Sequence, residues 1–120
     1  MADYLPKFKP GQAVTFKASA DVTGGREVVV TGDRTVGPAG ADALAIGTAG
    51  FDAKTGEDVT VFLRGNGVHS LVAAGAIAAG AQVITATGGK VATIGSGTNP
   101  IGIALVASAA DNDVIDVLYI

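Results

Sequence analysis

The sequence predicts a mainly β fold: a compact antiparallel β-barrel or sandwich, tulip-like in outline, with at most one short helical turn and an extended N-terminal arm. Three observations carry this. Short runs of Val, Ile and Thr recur between glycine turns, the pattern of strands joined by hairpins. Within those runs apolar residues alternate with polar or small ones, which sorts them onto the two faces of a strand rather than onto one helical stripe. Pro6 and Pro10 bracket a first segment that disfavours helix. Residues 1–10 are therefore expected as the arm and residues 11–120 as a single β-rich domain, an ordinary size for one folded unit.

The arm, MADYLPKFKP, joins apolar Tyr4, Leu5 and Phe8 to basic Lys7 and Lys9, a combination suited to lying along a partner. Gly24 and Gly25 then precede a strand over residues 28–30, which the turn TGDR closes. After a turn at Thr55 and Gly56, Val59, Val61 and Leu63 alternate with Thr60, Phe62 and Arg64. A further strand is expected over residues 68–72. The segment AAGAIAAGA keeps no single helical face, so residues 76–79 read as a turn or one helical turn before a strand from Gln82. VITATGGKVATI is the clearest hairpin, because Gly88 and Gly89 accept the positive φ of a tight turn. IGIALV and VIDVLYI supply the final strands.

Residues 65–89 carry no formal charge and are long enough to cross a bilayer. Asn66, His69, Ser70, Gln82 and two threonines interrupt them, and the apolar residues are mostly Ala, so no membrane partner is expected. Gly and Ala fill a third of the chain and offer little side-chain area to bury. Both faces of the last strands are nonetheless apolar: Ile115, Val117 and Tyr119 alternate with Val114, Asp116 and Leu118. One copy would keep one face polar, so these strands point to an interface between subunits, with a closed monomeric barrel as the alternative.

A net charge of −3 and a pI near 4.8 argue against a nucleic-acid partner, which calls for a basic face. The chain has no cysteine, which excludes disulfides and thiolate metal sites. The first residues lack the apolar run of a signal peptide, so the chain is expected to stay where it is made unless it leaves within an assembly. His69 is the sole histidine and reads as structural or exposed. TGGKV lacks the rest of a phosphate loop, and DNDVID lacks the glycine and distal glutamate of a calcium loop, so it reads as a polar turn. Glu27 and Glu57 each follow a glycine turn, and only tertiary contacts could pair them. No catalytic, cofactor or metal site emerges, and the chain is not expected to be an enzyme.

In order and spacing, PGQAVTFKASADVTGGREVVVTGDR, GTAGFDAKTGEDVTVFLRG, AGAIAAGAQVITATGGKV and PIGIALVASAADNDVIDVLY resemble the small capsid decoration, or cement, proteins of tailed bacteriophages. The resemblance covers nearly the whole chain. It implies a structural virion protein that binds the outer surface of the mature head and stabilises the lattice by bridging subunits of the major capsid protein. It further implies a homotrimer, located on the outer capsid surface and in the host cytoplasm during assembly. The family's N-terminal segment runs over the shell, so the candidate capsid-binding residues are Tyr4, Leu5, Pro6, Lys7, Phe8, Lys9 and Pro10. The alternative is a carbohydrate- or host-surface-binding module displayed on the virion, which would need its scattered aromatic residues gathered into a concave platform.

Overall fold

Alternation of buried and exposed residues builds the first sheet. In β1 (Ala13–Ala18) Val14, Phe16 and Ala18 turn inward while Ala13, Thr15 and Lys17 face out. β2 (Glu27–Gly32), β3 (Thr35–Pro38), β4 (Gly47–Ala49) and β5 (Asp58–Leu63) follow, and the five strands close into a barrel in the order β1-β3-β2-β4-β5. Its interior is small and mostly aliphatic, built on Val28, Val36, Val59 and Val61 together with Phe16. The computed structural model describes residues 4–65 and 67–120. Residues 1–3 of the expected arm, and Asn66, lie outside the described residues.

A second closed barrel follows, in the order β10-β6-β8-β7-β9. It contains β6 (Val68–Ala74), β7 (Gln82–Ala86), β8 (Lys90–Thr93), β9 (Gly102–Ala104) and β10 (Asp111–Tyr119). Leu71, Val83, Val91, Ile101, Ile115 and Val117 fill it.

The second barrel repeats the first. Ala18 pairs with Val36 as Ala73 does with Val91, Glu27 with Thr48 as Gln82 with Ile103, and the isolated bridge Val22–Ala53 recurs as Ile77–Ser108. Each residue lies 55 positions after its counterpart, as 77 minus 22 and 108 minus 53 show. From the bulge between Asp111 and Val114 onward the displacement becomes 56, so that Lys17–Asp58 corresponds to Val72–Val114. The barrel expected from the sequence is present, and it is present twice.

Four of the five pairings in each barrel are antiparallel; β1 with β3 and β6 with β8 run parallel. This is forced by closure, because directions cannot alternate all the way round a ring with an odd number of strands. The short helical turn falls at Thr87–Gly89, inside the hairpin, where Gly88 and Gly89 both have φ +79°. Residues 76–79 hold none; there the chain bridges through Ile77 to Ser108. DNDVID is not a turn but the bulged start of β10, with Asn112 at φ +70°.

The connection between β3 and β4 joins the barrels. Ala39 and Ala45 belong to the core of the second barrel, with Val29 and Ala43 packed against it. The backbone of this connection bonds the β7–β8 hairpin: Gly89 N–H donates to Ala39 O (2.9 Å) and Asp42 N–H to Thr85 O (2.8 Å). Thr85 Oγ1 donates to Gly40 O and accepts from Ala43 N–H. The Asp42 carboxylate accepts the N–H groups of Thr98 and Asn99, which hold its pKa below the usual range. No helix among the described residues is long and apolar enough to cross a membrane.

Candidate functional site

Residues 4–10 belong to no strand, and all are exposed. Tyr4 and Leu5 are 76% and 84% exposed. One contact holds the base of this arm: the Arg34 guanidinium lies 5.3 Å from the Phe8 ring centroid and 5.7 Å from that of Phe16, a cation–π arrangement that fixes Phe8 against the first barrel. Lys9 N–H also donates to Gln12 Oε1 at 2.6 Å. Among the described residues Lys7 and Lys9 make no ion pair.

At the junction of the barrels sits one of the two glutamates whose partners only tertiary contacts could reveal. Glu27 is fully buried. Its side chain leaves β2 on the outer face of the first barrel, where Thr48 Oγ1 donates to Oε2 at 2.7 Å and Tyr119 OH reaches both carboxylate oxygens at 2.7 and 2.8 Å. The Thr48 and Tyr119 hydroxyl oxygens also lie against each other, so the three groups share their protons. Burial pushes the Glu27 pKa up to about 7, against the hydroxyl bonds from Thr48 and Tyr119 and the charge of Arg64. Burial likewise raises the Tyr119 phenol well above its ordinary value. Arg64 spans the same junction, donating to Ala45 O, Pro100 O and Ile120 O. His69 packs against Tyr119 with ring centroids 4.6 Å apart and the planes tilted by 52°, and its partial burial lowers its pKa. The duplicate of Glu27 is Gln82, which is exposed.

This cluster ties the two barrels together through a buried carboxylate. An open depression of about 350 Å³ lies in the first barrel, lined by Asp21, Thr23, Asp52, Lys54 and Glu57 among others. Its carboxylates are already engaged with backbone: Asp21 with Thr55 N–H, Asp52 with Gly24 N–H and Glu57 with Lys54 N–H. Among the described residues no group of three or more His, Asp or Glu side chains could hold a metal ion. Glu27 and Glu57 are not paired, for Glu57 caps a surface turn. His69–Tyr119 is the one aromatic pair in contact among the described residues, tilted by 52°, and its tyrosine is buried, so it is no platform for a ligand.

What remains open to a partner is surface. On the outer face of β9, β10 and β6, Val114 lies opposite Val72, and Leu118 opposite both Val68 and Ile103. Leu105 extends this face, bonding Asp116 O through its N–H. Val114 is 64% exposed and Val68 57%. The two-sided apolar strands read from the sequence are thus real: Ile115, Val117 and Tyr119 fill the interior, and Val114 and Leu118 face out.

A family model described as phage cement protein matches residues 8–119. Among solved structures the chain is similar to the head fiber gp8.5 N base in bacteriophage phi29, with a TM-score of 0.74 and 16% sequence identity over 91% of this chain and 93% of that chain. At that identity the likeness is one of fold. No curated protein matches the chain.

Proposed function

Because the chain belongs to the phage cement protein family, we propose that it binds the outer surface of the mature phage head as a homotrimer and holds neighbouring subunits of the major capsid protein together. The chain is a capsid-associated structural protein. The family match along almost the entire chain carries this reading. Among the described residues the buried carboxylate of Glu27 serves the junction between the barrels, and the carboxylates of the open depression serve turns. In this reading the arm, with Tyr4, Leu5, Pro6, Lys7, Phe8, Lys9 and Pro10, is the candidate capsid-binding segment. Several weak contacts per assembly suffice, because linked contacts multiply. Binding to the mature lattice alone stabilises that lattice by mass action.

Co-sedimentation of the purified protein with undecorated heads of its phage tests this, with immature heads as the comparison. Saturable binding to mature heads, and a raised disruption temperature of decorated heads, are expected. Absence of binding to both head forms would remove the reading.

A further inference from the structure

The duplication supplies an internal control for the apolar face of the second barrel. The equivalent face of the first barrel carries Ala13, Thr15 and Lys17 on β1 against Phe62, Thr60 and Asp58 on β5. There, Lys17 and Asp58 form an ion pair at 2.8 Å. In the second barrel the positions of that ion pair are held by Val72 and Val114, and Ala13 and Thr15 are matched by Val68 and Ser70. One fold element has thus been built twice, once with a solvated face and once with an aliphatic one. The fold itself does not require the aliphatic version, so a partner is the physical reason for it.

Asp111, at the start of β10, is paired with Lys90 at 3.0 Å, so the charge left without an ion pair on that face is Asp116, opposite Ser70 and beside Leu105. Asp116 makes no ion pair among the described residues. The fitting partner is therefore an apolar segment carrying a cation. This chain has such a segment in its arm, where exposed Tyr4 and Leu5 precede Lys7 and no acidic residue occurs over residues 4–10. Within one chain the two do not meet: Tyr4 and Leu5 stay exposed, and so do Val68 and Val114. Phe8 is held at home by Arg34, which leaves residues 4–7 to project from the body.

We propose that the outer β9–β10–β6 face of the second barrel receives the N-terminal arm of a second copy of this chain, with Tyr4 and Leu5 on Val68, Val72, Val114 and Leu118, and Lys7 on Asp116. Every copy then offers one arm and accepts one, a head-to-tail contact that closes into a ring when the rotation permits. The inference rests on the proposed function for its setting on the head and goes beyond it, giving Tyr4, Leu5 and Lys7 of the arm a neighbouring copy as partner in place of the shell.

A charge exchange on the full chain tests it, read as mass against concentration by sedimentation equilibrium. Lys7→Asp and Asp116→Lys lie at exposed positions and leave the fold intact, which melting of each variant verifies. Each alone should weaken self-association at least about tenfold, by placing like charges together. The double variant should restore it, and the two single variants mixed should associate more strongly than either alone, because unlike neighbours regain the Lys–Asp pair at two of the three contacts of a mixed trimer. Val114→Lys should weaken association whatever the arm carries. A wild-type chain that stays monomeric at millimolar concentration, or an oligomer indifferent to all these changes, overturns the proposal. Head binding by the same variants keeps the two readings apart: a monomer that binds heads removes the arm–face contact and leaves the cement role, whereas a charge-sensitive oligomer that ignores heads does the reverse.

Discussion

The Tyr119 hydroxyl donates to the Glu27 carboxylate across the barrel junction, 2.7 Å from Oε2, linking the last strand of the second barrel to the second strand of the first. The carboxylate is fully buried, and that burial dominates its protonation.

The first prediction follows from the sign of that shift. The folded pKa of Glu27, about 7, stands above its value in the unfolded chain, near 4.5, so the folded state binds the extra proton between them. The associated stability is complete below about pH 4.5 and is lost as pH rises through 7, with a total on the order of 3 kcal/mol. His69 acts in the opposite sense: its lowered pKa makes stability fall as pH drops through its ordinary range. Glu27→Gln keeps the shape, removes the titration and isolates His69. Melting temperatures from pH 5 to 8.5 should decline for the wild type and not for the variant; parallel curves would refute the assignment.

Removing the Tyr119 hydroxyl, by Tyr119→Phe, leaves the buried carboxylate short of a donor. The cost is on the order of 1 to 3 kcal/mol. It should be greater at pH 8 than at pH 5, because the hydroxyl bond favours the ionised form. Denaturant midpoints at the two pH values check this, and a loss independent of pH would mean that the hydroxyl serves packing only.

Gly88 and Gly89 share a φ of +79° yet differ in surroundings. A Cβ at Gly88 would meet nothing closer than the Arg26 guanidinium at 3.5 Å, whereas one at Gly89 would lie 2.6 Å from Glu27 O and 3.0 Å from Glu27 N. Gly88→Ala should therefore cost about 1 to 2 kcal/mol for the left-handed backbone alone. Gly89→Ala adds a displacement of β2 at the junction and should cost clearly more. His69→Ala, at a half-buried ring, should fall below Gly89→Ala. Equal midpoints for the two glycine variants would show that the hairpin does not press on Glu27.

That hairpin was legible because glycine pairs between β-branched runs have one common structural solution. The two faces of β10 were legible for the same kind of reason, since alternation alone assigns Val117 inward and Leu118 outward. The duplication escaped because its repeated positions are common small residues, such as Ala18 and Ala73 or Val28 and Val83, embedded in surfaces that diverged. A constant displacement of 55 between like positions was the available signal. Glu27 escaped because a glutamate after a glycine turn ordinarily points to water, as its duplicate Gln82 does. Only the second barrel, bringing Tyr119 onto it, makes the position interior. β1, β3 and β4 were not delimited, for β3 and β4 are short and their glycines imitate turns.

The arm separates attachment from stability. Apart from Lys9, which bonds Gln12, residues 4–10 add to the body only the stacking of Phe8 on Arg34, worth about 0.5 to 1 kcal/mol at an exposed site. Deleting residues 2–9 should thus leave the melting temperature within a few degrees of the wild type. Ordering the arm on neighbouring protein costs roughly 1 to 2 kcal/mol per residue in backbone entropy, which contacts of Tyr4, Leu5 and Lys7 must exceed for the arm to bind. Attachment to undecorated heads should weaken at least about tenfold on deletion, equivalent to about 1.4 kcal/mol. Added salt should weaken the intact protein more than the truncated one, because the charges of Lys7 and Lys9 leave with the arm and their attraction is screened. Phe8→Ala should fall between the two, since it frees the base of the arm and keeps Tyr4, Leu5 and Lys7. Co-sedimentation across a salt series resolves the order of the three proteins, and full attachment by the deletion would show that the body alone makes the contact.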